Sequence, residues 1–305
     1  MVLDVAAVVG PQGWTTWDAL TARVDRKTVA RWTATGALVR LHPGVYATSS
    51  AATQWRTRVA ATVLARGGVA GHRTALALWD LVPAGGPVHV TVEPPRSNRS
   101  PAGVVLHRSP DLHDAIRSVD GIPVTSVERS LVDTWGRPGG LARPVVRAAV
   151  IAAVRRRMCR PVDLATEVDR RPQLTARSSL LGLIRLLAEG CQSELEIWGC
   201  LHVLRAPGMP AFTLQHRVVV GGRTFFLDAA CGEVRLAVEM DGAAWHGSRE
   251  QRERDIRRDA LLATTGWQTL RFGFARLTGS PDECRREIRS VHAARLGLMR
   301  PGGAQ

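Results

Sequence analysis

Three carboxylates and a histidine lie close together in the C-terminal third of the chain. Asp228 falls at the end of one predicted strand, and Glu239 and Asp241 alternate along the next, so a short turn would bring all three to one edge of a sheet. Carboxylates that converge in this way repel one another unless a cation lies between them. Mg²⁺ prefers oxygen ligands and lowers the pKa of a bound water, as phosphodiester hydrolysis requires. The spacing therefore predicts a metal site at Asp228, Glu239 and Asp241, with His246 nearby.

Each of these acids also has an ordinary structural explanation. Asp228 could cap a turn, and Glu239 could pair with one of the many arginines. Asp241-Gly242 is a common turn dipeptide. The spacing alone leaves both interpretations open.

The elements predicted around these acids have an informative order. Ser193-x-x-Glu196 predicts the start of a helix. A helix, a three-stranded meander, a second helix and a strand form the core of the PD-(D/E)xK restriction-endonuclease-like fold. The predicted strands are 215–220, 224–230, 234–240 and 267–272, and the second helix is 249–263.

A longer run of residues resembles a known family. The strings LAVEMDGAAWHG and RERDIRRDALLATTGWQTLRF resemble a large family of uncharacterised bacterial domains. That family is in turn similar to the very-short-patch-repair (Vsr) mismatch endonucleases. The resemblance spans about residues 193–280 and combines E-x-D-G-x-x-x-H, R-D-x-x-R and G-W in order.

The resemblance implies roles for single residues. Asp228 matches the principal metal-binding aspartate, and His246 matches the histidine that activates or positions the attacking water. Asp255 matches the acid that orients this histidine, and Glu196 matches a glutamate on the first helix that faces the site.

The chain departs from the general fold at one position. Glu239 and Asp241 match the E-x-D pair of the uncharacterised family rather than the repair enzymes, and the lysine usual in the fold would fall at Asp241. Lys27, the only lysine, lies in another part of the chain. Either His246 acts as the base, which its near-neutral pKa permits, or the domain binds nucleic acid without cutting it.

The predicted helix at 249–263 is rich in arginine. Several of its arginines fall on one helical face, where Arg254 and Arg258 are candidate contacts to nucleic-acid phosphates. Arg258 is equally a candidate salt-bridge partner. Interleaved acids give the alternative of a salt-bridged, solvated helix.

Residues 1–50 are predicted to form short helices followed by a hairpin. Asp25 is a predicted N-cap of the second main helix, and a Pro-Gly turn joins two strands. This is the order of a winged helix-turn-helix, whose second helix would present Arg26, Lys27 and Arg31 to DNA. The alternative is a solvated basic face on a protein-interaction module.

Residues 51–190 are predicted to mix helices and strands, with a strand at 88–92 and a capping box at Thr125-x-x-Glu128. We interpret His72, which precedes an apolar helix, as structural, and nothing in this region predicts catalytic chemistry.

The first 135 residues resemble the abortive-infection type IV antitoxin (AbiEi) family. The matching strings are GALVRLHPGVYA, GHRTALALWDL, VHVTV and GIPVTSVERSLVD, within roughly residues 5–135. The resemblance implies a DNA-binding winged helix with a following domain. It does not imply an active toxin partner.

Composition supports a nucleic-acid partner. The net charge is +14, of which residues 1–190 carry +11 and residues 191–305 carry +3. A positive field of this kind attracts phosphate backbones, although the single lysine indicates a general arginine bias as an alternative. No apolar run approaches the roughly 20 residues of a membrane span, and no signal peptide is recognisable. We therefore expect a cytoplasmic protein with no membrane contact, whose five cysteines are reduced and packed in the core.

Together these patterns predict an α/β (α+β) multidomain chain. The expected parts are a winged helix at 1–50, an AbiEi-like mixed region with a helical linker at 51–190, a restriction-endonuclease-like domain at 191–290 and a flexible tail at 291–305. One predicted function is Mg²⁺-dependent nicking of DNA. The other is non-enzymatic, antitoxin-like transcriptional regulation with an inactive nuclease fold. DNA is the expected partner. Whether a toxin or a second copy of the chain is a further partner is left open by the sequence.

Overall fold

The computed structural model describes residues 4–94, 100–241 and 249–299, with the backbone alone at 241 and 249–252. The chain divides into two compact units, Met1–Leu181 and Gly182–Gln305. The three sheets and the helices between them confirm the predicted mixed α/β class.

The first unit begins with three short helices and a three-stranded sheet of order β1-β3-β2. Asp25 caps the third helix as predicted, since its carboxylate accepts the Thr28 N–H at 2.8 Å. Gly36 follows that helix at φ +74°, a conformation that glycine adopts without strain. The elements are α1 Val5–Val9, β1 Trp14–Thr16, α2 Trp17–Thr21, α3 Arg26–Ala34, β2 Leu38–His42 and β3 Val45–Thr48.

A five-stranded sheet of order β6-β5-β4-β8-β7 forms the rest of the first unit. All five residues of its second strand in this order, Val88–Val92, are buried. The elements are α4 Ser49–Ala52, α5 Trp55–Arg66, β4 Val69–Ala70, α6 His72–Leu78, β5 Val88–Val92, β6 Val104–Arg108, β7 Ile116–Val119, β8 Ile122–Thr125, α7 Val127–Gly136, α8 Arg143–Arg155 and α9 Pro161–Asp169. Helix α10, Arg177–Ala188, begins in the first unit and ends in the second.

The predicted capping box at Thr125 and Glu128 is wrong by one residue. Ser126 caps α7, because its side chain accepts the Arg129 N–H. Thr125 is the last residue of β8, and its buried hydroxyl lies 2.7 Å from the hydroxyl of Ser130.

The second unit is built on a four-stranded sheet of order β12-β11-β10-β9. The first three strands along the chain form an antiparallel meander, and β12 returns parallel to β11 after a helix. This is the element order predicted from the sequence. The elements are α11 Glu194–Gly199 with a π turn Cys200–Leu204, β9 Thr213–Val220, β10 Arg223–Cys231, β11 Leu236–Asp241, α12 Arg249–Thr264, β12 Gln268–Gly273, α13 Phe274–Gly279 and α14 Pro281–Met299.

The C-terminal segment differs from the predicted flexible tail at 291–305. Helix α14 continues to Met299, because Val291 and Leu296 pack against the core formed around Leu236 and Phe272. Hydrophobic contact with the sheet therefore extends the helix beyond the last element predicted from the sequence.

All five cysteines are buried and have free thiols, as predicted. Within the described ranges, no helix has the combined length and apolarity that crossing a bilayer requires.

Candidate active site in the second unit

Asp228 lies where β10 and β11 stop pairing. Ala229–Cys231 pair with Leu236–Val238, and just beyond this ladder the Oδ2 atom of Asp228 accepts the backbone N–H of Met240 at 2.8 Å. The half-buried carboxylate of Asp228 therefore accepts the Met240 N–H where a backbone carbonyl of a paired strand would otherwise do so. This hydrogen bond between the Asp228 side chain and the backbone of β11 holds the carboxylate against the strand.

Glu239, on β11, is a buried acid, with only 5% of its surface exposed. Its Oε1 atom accepts a hydrogen bond from Nη2 of Arg258 at 2.9 Å, and its register partner on β12 is Arg271. Burial, followed by the negative charge of Asp228, raises the pKa of Glu239 to about 7, although both arginines act in the opposite direction. Burial beside Asp228 therefore favours the protonated form of this carboxyl group compared with an exposed glutamate.

Glu196 belongs to the same electrostatic cluster. Ser193 caps α11 by accepting the Glu196 N–H, which confirms the predicted start of that helix. The Oε2 atom of Glu196 accepts the Gln192 N–H at 2.8 Å and a long hydrogen bond from Gln215. Burial raises the pKa of Glu196, and the charge of Asp228 adds to this effect.

Helix α12 contributes charged side chains to this edge of the sheet. Arg258 donates from one nitrogen to both Glu239 and the Phe226 carbonyl oxygen, the latter at 2.7 Å. Asp259 accepts two hydrogen bonds from Arg271, at 2.8 and 3.1 Å. The hydrogen bonds to Asp259 raise the pKa of Arg271, and the charge of Asp255 adds to this effect, so Asp255 lies within the electrostatic reach of Arg271.

The structure places four of the six predicted catalytic residues in one charged cluster, namely Glu196, Asp228, Glu239 and Asp255. Of the two candidate nucleic-acid contacts on α12, Arg258 pairs with Glu239, whereas Arg254 is exposed. The side chain of Asp241 and all of His246 lie outside the described residues.

Sequence reasoning missed Arg271 and Gln215. Arg271 occupies the strand that pairs with the acid-bearing β11, and it holds α12 to the sheet through Asp259. Arg271 is the one charged residue of this strand, Gln268–Gly273, and that was the available signal. Gln215 gave no comparable signal, since a polar residue near the start of a strand is ordinary.

The acids fit a divalent cation of the magnesium type. Among the described side chains, no three His, Cys, Asp or Glu residues are arranged to hold a metal ion. Mg²⁺ needs only one or two protein carboxylates, however, because it keeps several waters. The charge of Asp228 helps to raise the pKa of Glu239, and a cation between these two acids would relieve that repulsion.

A four-stranded mixed sheet with helices α11 and α12 supplying charged residues beside the acids of β10 and β11 defines a restriction-endonuclease-like domain. Residues 211–291 match the family model REase_MTES_1575. Among solved structures, the chain is similar to the RV2827C protein from Mycobacterium tuberculosis at 17% identity and a TM-score of 0.40, over 58% of this chain and 71% of that chain. The comparison with curated proteins gave no match.

A second candidate surface lies on α3 of the first unit. Arg26, Lys27 and Arg31 are exposed, whereas Val29 and Trp32 are buried in the small core of this region. The helix therefore turns a basic face to solvent.

Proposed function

We propose that the protein is a DNA endonuclease in which the second unit hydrolyses a phosphodiester bond with Mg²⁺ and the first unit binds the duplex. The observation that carries this proposal is the pairing of half-buried Asp228 with buried Glu239, whose pKa is raised to about 7, within a restriction-endonuclease-like domain. Burial and the closeness of Asp228 raise the pKa of Glu239 and so disfavour its ionised form. Such perturbed acids cluster at functional sites, and a bound cation would favour the ionised form again.

In this proposal Asp228 and Glu239 would hold Mg²⁺, which would supply neutralisation of charge on the reacting phosphate and a lower pKa for a bound water. Glu239 must release its proton for this role. Arg258 now donates a hydrogen bond to Glu239, and the same N–H group could donate to a phosphate oxygen instead, since guanidinium groups bind both carboxylates and phosphates. From its spacing, Asp241 would add a carboxylate. By resemblance, His246, oriented by Asp255, would receive the proton of the attacking water.

DNA binding by the first unit is proposed from α3 and its surroundings. Helix α3 packs its apolar side against a small hydrophobic core and exposes three basic side chains on the other side. The β2–β3 hairpin follows it in the chain. This order supports a winged helix-turn-helix, with α3 as the helix that enters the major groove.

Two observations favour a second function. The position of the usual lysine is Asp241, and Arg258 already occupies one oxygen of Glu239. An antitoxin-like regulator that binds DNA and retains the nuclease fold as a binding surface would be compatible with both features.

Conversion of supercoiled plasmid to open circle tests the first function against the second. We expect nicking by the full chain in the presence of Mg²⁺ and none with EDTA, because the developing charge on the phosphate is not neutralised without a cation. Single-stranded and mismatched substrates are included. If no substrate is cut under conditions where a gel shift detects duplex binding, the regulator becomes the better proposal.

Replacement of Arg26, Lys27 and Arg31 together by glutamine should weaken duplex binding. The side chains are exposed, so the fold should be kept. Each lost phosphate contact removes about 0.9 from the slope of log K against log salt, so a decrease of two to three is expected in a fluorescence titration. The matched control replaces exposed Arg155, Arg156 and Arg157, which makes the same change in net charge. An equal loss in the control would contradict a specific role for α3.

A further inference from the structure

A cavity of about 530 Å³ lies within the first unit, away from the residues used above. His72, Thr91, His107 and Arg171 are among its lining residues. The imidazole rings of His72 and His107 stack with their centroids 3.4 Å apart, and Nδ1 of His89 lies 2.9 Å from Nε2 of His107. Three histidines from different elements thus form one buried cluster.

Three buried polar atoms of the lining residues have no hydrogen-bond partner within the protein, namely Nδ1 of His72, Oγ1 of Thr91 and Nη1 of Arg171. Buried polar groups are nearly always paired, so three unpaired ones around one cavity need an explanation. His72 also has a φ of +50°, which is strained for a residue with a side chain. Strain and unmet hydrogen bonds of this kind gather at ligand sites.

The guanidinium of Arg171 is fixed by its other nitrogens. Nε donates to Asp133 at 3.3 Å, and Nη2 lies 3.2 Å from Asp111 and 3.0 Å from Glu167. A guanidinium group has only hydrogen-bond donors and stays charged, so Nη1 of Arg171 can be paired only by a hydrogen-bond acceptor.

The charge around the cavity favours an anion. Five of the lining residues are arginines and two are aspartates, so positive charge remains in excess even when Glu167 is counted. Burial lowers the pKa of His107 to about 4 and that of His72 well below its usual value, so both rings are neutral at pH 7. A neutral imidazole in the appropriate tautomer donates a hydrogen bond to an anion without adding charge.

We propose that this cavity binds a phosphate monoester, carried either by a nucleotide or by the end of a nucleic acid, through Arg171, Thr91 and His72. A phosphate group has several acceptor oxygens, which can accept hydrogen bonds from an arginine, a hydroxyl and an imidazole at the same time. The cavity volume is in the range of small-molecule sites and is sufficient for a nucleotide.

Calorimetric titration of the full chain, in low salt and without Mg²⁺, tests this site. The probes are inorganic phosphate, thymidine 5′-monophosphate, a 5′-phosphorylated pentanucleotide and unphosphorylated thymidine. Binding of the three phosphates and not of thymidine is expected. Tighter binding of the mononucleotide indicates a nucleotide ligand, and tighter binding of the pentanucleotide indicates a nucleic-acid end.

Two variants locate the binding. Thr91→Val is nearly isosteric and removes a hydroxyl that has no partner, so it should keep the melting temperature while weakening phosphate binding about 10-fold. Arg171→Gln should weaken it more, and Arg155→Gln on an exposed position of α8 should have no effect.

Asp228→Asn, in the second unit, should leave phosphate binding unchanged, which separates this site from the proposed nuclease. No heat with any phosphate at 10-millimolar concentrations, about the weak limit of a specific site, would overturn the proposal. Unaltered binding by folded Thr91→Val and Arg171→Gln would overturn it equally.

Discussion

Replacement of Asp228 by asparagine is expected to reduce Mg²⁺-dependent cleavage at least about 100-fold, because a charged metal ligand is lost. The amide oxygen still accepts the Met240 N–H, so the junction between β10 and β11 should remain folded. The initial rate of plasmid nicking and the calorimetric affinity for Mg²⁺ are measured on the same samples. Both should fall together if Asp228 holds the cation.

The matched control for this substitution is Asp282→Asn. Asp282 is an exposed acid at the start of α14, where it pairs with Arg285. The same chemical change there should leave nicking and Mg²⁺ affinity at wild-type values. Full activity of Asp228→Asn, with unchanged metal affinity, would show that catalysis resides elsewhere in the chain.

The strands of the second unit were predictable from the sequence because their signals are local. The short apolar stretches on either side of the Gly221-Gly222 turn predict β9 and β10, and they place Asp228 on the second strand of the meander. Glycine at 266 likewise marks the end of α12 before β12. The cap at Ser193 was equally local, since it involves residues only three positions apart.

The pairings within the site were not predictable in the same way. Glu239 lies beside Arg271 through parallel strand register, and Arg258 reaches it across a helix packed on the sheet. Both contacts join residues far apart in sequence. The sequence left open whether Arg258 contacts phosphate or forms a salt bridge, and only packing reveals the ion pair with Glu239.

The histidine cluster illustrates the same limit. His72 is interpreted as structural from the sequence, and no local pattern links it to His89 or His107. They meet because β5 and β6 pair in parallel, with β5 also packed against α6. Gly139 makes room for this group, since a Cβ at that position would lie 2.6 Å from Cε1 of His89.

Replacement of Glu239 by glutamine should stabilise the metal-free protein at alkaline pH. The pKa of Glu239 is about 7 in the folded chain and ordinarily 4.5, so its folded-state pKa is raised. The stability associated with the neutral acid is present below pH 4.5 and is lost as pH rises through 7. At pH 8 this loss is about 3 kcal/mol of unfolding free energy, and glutamine, which stays neutral and still offers an oxygen to Arg258, avoids it. Urea unfolding between pH 4 and 8 should show no difference between the two proteins at pH 4 and a growing advantage of Glu239→Gln above pH 5.

Glu233→Gln supplies the control, because the same substitution at this exposed position removes no buried carboxyl group. A stability difference between Glu239→Gln and wild type that is constant across pH would contradict a raised pKa at Glu239. Saturating Mg²⁺ at pH 8 extends the test to function, since a ligand that binds only the folded state stabilises it. If Mg²⁺ stabilises wild type more than Glu239→Gln, the carboxylate that destabilises the metal-free domain is a metal ligand. If Mg²⁺ stabilises both equally, Asp228 binds the cation without Glu239, and the raised pKa of Glu239 reflects burial beside Asp228 rather than a catalytic role.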